Sequence, residues 1–263
     1  MSKDKQGVVV DNDPVEVQPR IKFHKEPNKS KRLKEVWQRV NYAIIPFLCI
    51  IVALLSSWLA NQLFGSPTGM QPNLAVDKYI PYVPQFAIFY FLCFPVCIVT
   101  YFVLAYRNRA RLYDITALIV ICYIISAIFY WSMPTEFPLE WKYSWLPENW
   151  TPETLGFWDR LAYNTWHSSL PTCLLPSQHC FMAIACILTL VGVKKTHWTW
   201  TLFTIIFNVC VVLATVFLKQ HFLMDFVASL AIMSIVYLIL RLTKFGDRLD
   251  AKILCAKNKR SKK

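Results

Sequence analysis

Long stretches without a charged side chain limit what this sequence can fold into. No Asp, Glu, Lys or Arg occurs between Arg39 and Asp77 or between Lys78 and Arg107, and later stretches are similar. Such lengths match the roughly 20 apolar residues that cross a bilayer as a helix. Only 17% of the residues are charged and 56% are hydrophobic, whereas a soluble domain needs more charge to cover its surface. The sequence therefore predicts an integral membrane protein.

The charge-free stretches divide into six segments, each long enough to span a bilayer. We therefore predict an all-α fold, a polytopic bundle of six transmembrane helices. About forty largely polar residues precede the first segment, so we do not expect a cleaved signal peptide, which would begin near the first residue. The six predicted spans are Ala43–Phe64, Gln85–Ala105, Ile115–Met133, Leu174–Val193, Thr199–Leu218 and Phe222–Leu242.

The distribution of the basic residues predicts how the chain crosses the membrane. Of the 28 Lys and Arg residues, 24 lie in the two terminal segments and in the two turns that fall on the same side. By the positive-inside rule, we expect both termini to be cytoplasmic in a multi-pass protein of the cell membrane. We expect the net charge of +12 to contact anionic lipid headgroups. Nucleic-acid binding is disfavoured because no folded basic module is present.

Composition divides the chain into three regions. Residues 1–42 form a predicted cytoplasmic tail, partly disordered, with an amphipathic helix near residues 31–41 on the membrane surface. The alternative for that helix is a plain extension of the first span. Residues 43–242 form the membrane domain, and residues 243–263 form a basic cytoplasmic tail, which we expect to be solvated near anionic lipid.

Three ionisable side chains lie where a membrane span should be purely apolar. His179 lies at the start of the fourth predicted span, and His221 and Asp225 lie at the start of the sixth. The alternating topology places both helix starts on the outer face, so the two histidines can meet although 42 positions separate them. An Asp at the centre of a membrane helix costs about 2.5–3.5 kcal/mol, and less near its end, so such residues are taken as functional.

His221 and Asp225 are spaced for a contact on one face of a helix, because residues four positions apart lie one turn from each other. A carboxylate in that place can hold one ring nitrogen and fix the tautomer, which leaves the other nitrogen free to act as a nucleophile. The alternative is a packed His–Asp pair that ties the last span to a neighbouring helix.

The segment Pro176-Ser177-Gln178-His179 has the composition of a helix start. Ser177 is a natural N-cap, and the free backbone N–H groups of a helix start bind anions. A histidine beside them can protonate a departing alkoxide. The alternative is a capping serine followed by a histidine at the membrane edge. The His221–Asp225 pair and the segment 176–179 are both predicted at the outer face of the membrane and at the same depth. We therefore favour a functional site.

These motifs resemble those of a known enzyme family. Pro176-Ser177-Gln178-His179 is similar to the Pro-Ser-x-His motif of the type-2 phosphatidic acid phosphatase superfamily. His221-x-x-x-Asp225 resembles the end of the third motif of that family. The resemblance covers residues 77–242 and implies the six-span fold, with lipid phosphate chemistry on the extracytoplasmic face and with no metal or cofactor.

The resemblance also implies catalytic roles for three residues. His221 matches the nucleophile that forms a phosphohistidine, Asp225 matches its carboxylate partner, and His179 matches the general acid and base. The substrate implied is a membrane lipid.

The chain departs from the family pattern at two positions that usually carry Arg. The third motif usually has Arg six residues before the nucleophile, where this chain has Thr215. In what is left of the first motif, Phe137 stands where the Arg would be. Because those Arg residues bind phosphate in the hydrolases, their loss is similar to what sphingomyelin synthases and inositol phosphorylceramide synthases show.

Other groups must then bind the phosphate. The candidates are Ser177, the backbone N–H groups near Gln178, and Lys219, which lies two residues before the implied nucleophile. Arg160 and Lys142 are further outer-face cations that could neutralise a phosphate. For Lys219, an ordinary interfacial lysine is the alternative.

The expected function is that of an integral membrane lipid phosphatase that acts on a phosphomonoester or diphosphate lipid through a phosphohistidine. The first alternative is a lipid phosphotransferase that moves a phospho-headgroup to a lipid alcohol. The second is a non-enzymatic lipid carrier or transporter. Internal repeats are absent and the ionisable groups lie at the outer edge, which disfavours a transporter.

The long outer loop and the cysteines each allow two interpretations. The loop between residues 134 and 173 contains five tryptophans, which either anchor at the headgroup level or form a lid over a lipid site. Most of the nine cysteines lie inside predicted spans, where Cys behaves as a small apolar residue. Free thiols are expected, with a Cys173–Cys180 disulfide as the alternative, and no zinc-binding spacing occurs.

Overall fold

The computed structural model describes residues 29–65, 69–168, 172, 174–190, 193 and 197–261. Within this part the fold is all-helical, as predicted, and the chain forms no β-strand beyond two isolated backbone bridges. The helices are α1 (Lys29–Val40), α2 (Ile44–Phe64), α3 (Ala87–Arg107), α4 (Arg109–Ser132), α5 (Leu139–Tyr143), α6 (Phe157–His167), α7 (Gln178–Leu190), α8 (Trp198–Phe217), α9 (Leu223–Leu242) and α10 (Phe245–Ser261).

Five helical segments are long and apolar enough to cross a bilayer. Each contains one of the helices α2, α3, α4, α8 and α9, which correspond to five of the six predicted spans. Many large apolar side chains on them are exposed, which suits helices that face lipid rather than water. The part of the chain that the structure describes therefore has the composition of a membrane-embedded helical bundle.

The fourth predicted span is shorter in the structure than in the sequence analysis. It contains α7, a helix of 13 residues, whose length of about 20 Å is less than the roughly 30 Å hydrocarbon core. The helix begins only after Pro176 and Ser177, because a proline and a capping serine favour a helix start at that point.

The short helix α7 lies inside the bundle. It packs against α3, α4, α8 and α9, and Cys180, Phe181 and Ala183 on its first turns are fully buried. A helix enclosed by four others does not need to present an apolar surface to lipid over the whole thickness of the bilayer. Packing against these helices therefore fixes the position of the first turn of α7, which carries His179.

At the N-terminal end, α1 is a helix, as expected for residues 31–41. Its side chains Leu33, Val36 and Trp37 are exposed, which is compatible with a membrane-surface helix. Only the 3₁₀ turn Asn41–Ala43 separates α1 from α2, so the helix also comes close to extending the first span. The preceding residues of the predicted tail lie outside the described residues.

The predicted basic tail contains a docked helix, α10. Asp114 at the start of α4 accepts a hydrogen bond from the Gly246 backbone N–H at 2.7 Å and lies 3.4 Å from an Arg241 guanidinium nitrogen. Further along, Arg109 and Asp250 form an ion pair at 3.0 Å. The contacts of Gly246 and Asp250 hold the start of α10 against α4, and most of the later residues of this helix are exposed.

The cysteines of the described residues are free thiols. Cys180 is buried and unpaired, while Cys173, the other member of the disulfide considered above, lies outside the described residues.

We predict that Gly246→Ala detaches α10 from α4. A Cβ atom at this position would collide with the Ala110 carbonyl oxygen and lie 2.8 Å from an Asp114 carboxylate oxygen, and overpacking of this kind costs about 1–3 kcal/mol. Limited proteolysis of the protein in detergent should then cleave the α10 region faster than in the wild type. Gly156→Ala is the matched control, because its nearest neighbour would lie at 3.9 Å. Equal protection of α10 in both variants would contradict the prediction.

Candidate active site

The start of α7 is capped as the sequence predicts. The Ser177 hydroxyl accepts a hydrogen bond from the Cys180 backbone N–H at 3.4 Å, which is the N-cap arrangement. Gln178 and His179 are the first two residues of the helix, and in the described part no group accepts a hydrogen bond from their backbone N–H. This end of α7 therefore presents two free N–H donors at the positive end of the helix dipole.

The turn between α8 and α9 brings His221 back toward the bundle. The Thr215 carbonyl oxygen accepts hydrogen bonds from the backbone N–H groups of Gln220 and His221, at 3.1 and 2.9 Å. Lys219 adopts a φ of 54°, in the left-handed region that non-glycine residues seldom occupy. This tight reversal places His221 two residues before the first residue of α9.

His221 and Asp225 form the hydrogen-bonded pair that their spacing predicts. One Asp225 carboxylate oxygen, Oδ2, lies 3.0 Å from His221 Nδ1, and the same oxygen accepts the Phe222 backbone N–H at 3.1 Å. Asp225 is fully buried and His221 is 8% exposed. In the described part no residue hydrogen-bonds His221 Nε2. The carboxylate therefore fixes the ring through one nitrogen and leaves the other free.

Ser229 joins the two motifs. Its hydroxyl donates to the Asp225 carbonyl oxygen at 2.7 Å and accepts the Ser177 backbone N–H at 2.9 Å. One side chain of α9 thus holds the start of α7 beside the His–Asp pair. The sequence analysis did not single out Ser229; the available signal was a small polar residue one turn after Asp225 in an apolar span.

His179 is held differently from His221. Its ring stacks on Tyr90 of α3, with the centroids 3.8 Å apart and an interplanar angle of 22°. The Phe94 ring lies at 68° to it, with the centroids 5.2 Å apart. Ser229 hydrogen-bonds Ser177, two residues before His179, and also Asp225, the partner of His221. The structure therefore brings the two predicted histidines into one site from two helix starts.

A cavity of about 490 Å³ opens beside His179. Leu54, Leu55 and Trp58 of α2 line one side, and Phe91 and Phe94 of α3 line the other. The walls are therefore mostly apolar, and the cavity lies between two of the membrane-spanning helices. A cavity of this kind can hold the hydrocarbon part of a lipid.

Of the predicted phosphate-binding residues, Gln178 uses its side chain for packing. Its amide nitrogen donates to the Ser57 hydroxyl at 2.7 Å and ties α7 to α2. Its backbone N–H, which was the group predicted to bind phosphate, is the one that remains free.

The buried side chain of Lys219 connects two loops. Its ammonium donates to the Ile80 and Asp77 carbonyl oxygens and lies 4.3 Å above the Trp145 ring. Burial lowers the pKa of Lys219, an effect that the charge of Asp77 opposes. The side chain holds the loop before α3 against the His221 turn, so in this structure its hydrogen bonds go to protein carbonyls.

Lys142 on α5 has fewer polar partners in the described part of the chain than Lys219 has. It is 1% exposed, and its ammonium donates to the Gln220 side-chain oxygen at 2.7 Å. Among the described residues no carboxylate lies within ion-pair distance of it. Burial lowers the pKa of Lys142 to about 7, because removal from water penalises the charged form. Gln220 directly precedes His221, so this cation lies close to the proposed nucleophile.

The structure does not bring Arg160 into hydrogen-bond contact with the His221 turn. Its guanidinium donates to the Glu153 and Leu155 carbonyl oxygens, at 2.8 and 3.3 Å, and the residue is exposed. It therefore stabilises the outer loop, and in the described part no hydrogen bond joins it to the His221 turn.

The two positions that lack Arg are occupied by residues that carry no charge. Phe137 is buried and stacks on Phe222 with the centroids 4.4 Å apart, and Trp141 stacks on both. The Thr215 hydroxyl donates to the Val212 carbonyl oxygen at 2.7 Å. An aromatic stack thus lies directly beside the turn that carries His221.

Asp77 is a site residue to which the sequence analysis gave no role. One carboxylate oxygen accepts the Leu223 backbone N–H at 2.9 Å, and the other accepts that of Leu74 at 2.6 Å. Leu223 is the first residue of α9, so a carboxylate from a distant loop caps the helix that carries Asp225. A lone acidic residue between two predicted spans was the only signal in the sequence.

The fold and the site together define a helical membrane protein with two histidines and one carboxylate at adjoining helix starts. A comparison with family models matches the PAP2 superfamily over residues 72–239, more than half of the chain. The chain therefore belongs to the PAP2 superfamily, the type-2 phosphatidic acid phosphatase superfamily. Membership and the apolar helices support a membrane phosphatase-type function. Neither the curated proteins nor the solved structures gave a match.

Among the described residues no three His, Cys, Asp or Glu side chains converge in a way that could hold a metal ion.

We predict that Asp77→Ala destabilises the protein by about 1–3 kcal/mol, because it removes the charged acceptor of two partly buried backbone N–H groups, those of Leu74 and Leu223. Thermal unfolding in detergent micelles should show a lower midpoint. Glu148→Ala is the control, because Glu148 is exposed and no described residue contacts its carboxylate. A midpoint for the Asp77 variant equal to that of the Glu148 variant would refute the capping role.

Proposed function

We propose that the protein is an integral membrane lipid phosphatase that acts on a phosphomonoester or diphosphate lipid through a phosphohistidine on His221. The observation that carries the proposal is the hydrogen bond between Asp225 and His221 Nδ1. This bond places the proton on Nδ1, so the lone pair on Nε2 is available for attack on phosphorus.

In the first step, His221 Nε2 attacks the phosphorus atom. A P–N bond forms, the P–O bond to the lipid alcohol breaks, and the imidazole gains a positive charge. The buried carboxylate of Asp225 compensates that charge. His179 donates a proton to the departing alkoxide, because an alkoxide is too basic to leave readily without one.

In the second step, a water molecule attacks the phosphohistidine. His179, now neutral, accepts a proton from the water, and the P–N bond breaks. Inorganic phosphate leaves, and both histidines return to their starting states. The same two residues therefore serve both halves of the reaction.

The donors for the phosphate oxygens come from the start of α7 and from lysines near the His221 turn. The backbone N–H groups of Gln178 and His179 and the Ser177 hydroxyl lie at the start of α7, where an anion is favoured. Lys142 supplies a buried positive charge without a carboxylate partner in the described part. Lys219 adds a second cation beside the His221 turn, and Arg160 is an exposed cation of the outer loop.

The apolar cavity between α2 and α3 supports a lipid as the substrate. His179 lies in its wall, so a hydrocarbon tail in the cavity would bring the attached phosphate to the catalytic groups. We further propose that the site faces the extracytoplasmic side and that both termini are cytoplasmic in the cell membrane. This follows from the basic residues near the opposite helix ends, which would contact anionic lipid headgroups.

A second candidate function is a lipid phosphotransferase. The stack of Phe137, Phe222 and Trp141 replaces a charged phosphate-binding group by apolar surface next to His221, and this surface disfavours water as the acceptor. Incubating the purified protein with a phosphomonoester lipid, a phosphodiester lipid as headgroup donor and a lipid alcohol separates the two functions. Released inorganic phosphate supports the phosphatase, and headgroup transfer without phosphate release supports the transferase.

We predict that His221→Ala abolishes turnover of a panel of lipid monophosphates and diphosphates in detergent micelles. Asp225→Asn should lower the rate on the order of a hundredfold or more, because it no longer orients and compensates the nucleophile. Labelled substrate should leave an acid-labile phosphate on the wild-type protein only. His197→Ala is the matched control, because His197 is exposed at the start of α8. Unchanged turnover in the His221 variant would exclude the mechanism, whereas no turnover by the wild type would favour a non-enzymatic lipid carrier.

We predict that the affinity for a phosphate lipid falls as pH rises through about 7. The pKa of Lys142 is lowered to about 7, so the ammonium carries its charge below this pH and loses it above. The KM of the wild type should therefore rise above pH 7. Lys142→Met should raise KM about tenfold or more at pH 6 and remove that rise, whereas Lys142→Arg stays charged.

The three proteins are compared on one substrate, so that ionisation of the substrate phosphate affects them equally. The same pH dependence of KM in the wild type and in Lys142→Met would show that Lys142 does not bind the phosphate.

A further inference from the structure

The two histidines of the site are constrained by different forces. Asp225 holds the His221 ring by a hydrogen bond at Nδ1. In the described part no hydrogen bond reaches the His179 ring. The closest ring neighbour of His179 is Tyr90, whose ring lies nearly parallel to it with a centroid separation of 3.8 Å. Phe94, one turn further along α3, packs against the same imidazole at a steep angle, with the ring centroids 5.2 Å apart.

This difference corresponds to the different chemistry of the two proposed roles. A nucleophile needs one defined tautomer, because only the nitrogen without a proton can attack. A general acid begins as an imidazolium, which has a proton on both nitrogens, so no tautomer must be selected. The acid needs only a fixed ring plane, so that one N–H points at the leaving oxygen.

A stacked aromatic ring fixes that plane without using either nitrogen. Contact between the ring faces limits rotation about the bond to the imidazole, while the nitrogens lie in the ring plane and stay free. The face of a tyrosine ring also attracts a cation, which partly offsets the cost of a protonated imidazole among the mostly apolar walls of the cavity. Tyr90 lies in the first turn of α3 and His179 in the first turn of α7, and these two helices pack together.

We infer that Tyr90 is a positioning residue that orients the general acid His179 through the stacked contact of their rings. The inference rests on the proposed function. The aromatic ring carries the effect, and the hydroxyl is not needed for it. Removal of the ring should therefore harm only the step in which the leaving group needs a proton.

The test compares two phosphomonoesters that differ in their need for an acid. Phosphatidic acid releases an alkoxide, which must be protonated, whereas 4-nitrophenyl phosphate releases a stable phenolate. The quantity measured is kcat/KM for the full chain in detergent micelles, because it reports the step up to departure of the leaving group. Tyr90→Leu should lose on the order of tenfold or more on phosphatidic acid, within the range that general acids contribute, and less than about threefold on the aryl ester.

Conservative and matched variants complete the design. Tyr90→Phe keeps the ring and should restore kcat/KM on phosphatidic acid, and Tyr90→Met gives a second ring-free variant if Tyr90→Leu does not fold. Phe89→Leu removes a neighbouring ring that packs on Phe86 and Phe207 instead, so it should leave the ratio between the two substrates unchanged. Equal losses on both substrates in the ring-free variants would overturn the inference.

A double variant separates this inference from the proposed function. In a His179→Ala background, Tyr90→Leu should cause no further selective loss on phosphatidic acid, because the acid it orients is gone. An additional selective loss there would overturn the inference. If His179→Ala by itself spares phosphatidic acid, the proposed acid role fails. If His179→Ala is selective and Tyr90→Leu is not, only the inference fails.

Discussion

The hydrogen bond between the Asp225 carboxylate and His221 Nδ1 is the contact on which the site is organised. Both groups are buried, and a carboxylate removed from water is tolerated only when it is hydrogen-bonded and paired. The Oδ2 atom of Asp225 meets that requirement through His221 and the Phe222 backbone N–H, whereas Oδ1 is buried and has no hydrogen-bond partner in the described part of the chain. The same contacts orient the imidazole, so the arrangement that makes the buried charge tolerable also prepares the nucleophile.

Much of the surrounding structure fixes the position of this pair. Ser229 ties it to the start of α7, and Asp77 caps the first residue of α9 from a distant loop. From the outer side, Lys142 reaches Gln220, and the Trp166 indole donates to the Leu218 carbonyl oxygen. The outer loop is therefore packed onto the His221 turn. These outside contacts add to the backbone hydrogen bonds of the turn itself and help it to hold one conformation.

Charge near the phosphate site is supplied differently from the pattern of the family motifs. Phe137 and Thr215 are uncharged where that pattern has Arg, and they pack into the interior. Two buried lysines lie close to the same turn instead. A lysine holds its charge less firmly than an arginine in a buried place, because its pKa falls readily on burial. Phosphate binding in this chain is therefore expected to depend on pH near neutrality, which an arginine clamp would not show.

The sequence by itself determined the membrane class, the all-α fold and the pairing of His221 with Asp225. These follow from local periodicity: charge-free length defines a span, and a four-residue spacing defines one helical face. It could not determine the length of α7, the docking of α10 or the roles of Asp77, Ser229 and Tyr90. The last three act on partners in other helices or loops. Such contacts depend on how the helices pack in three dimensions, and no regular spacing along the chain encodes them.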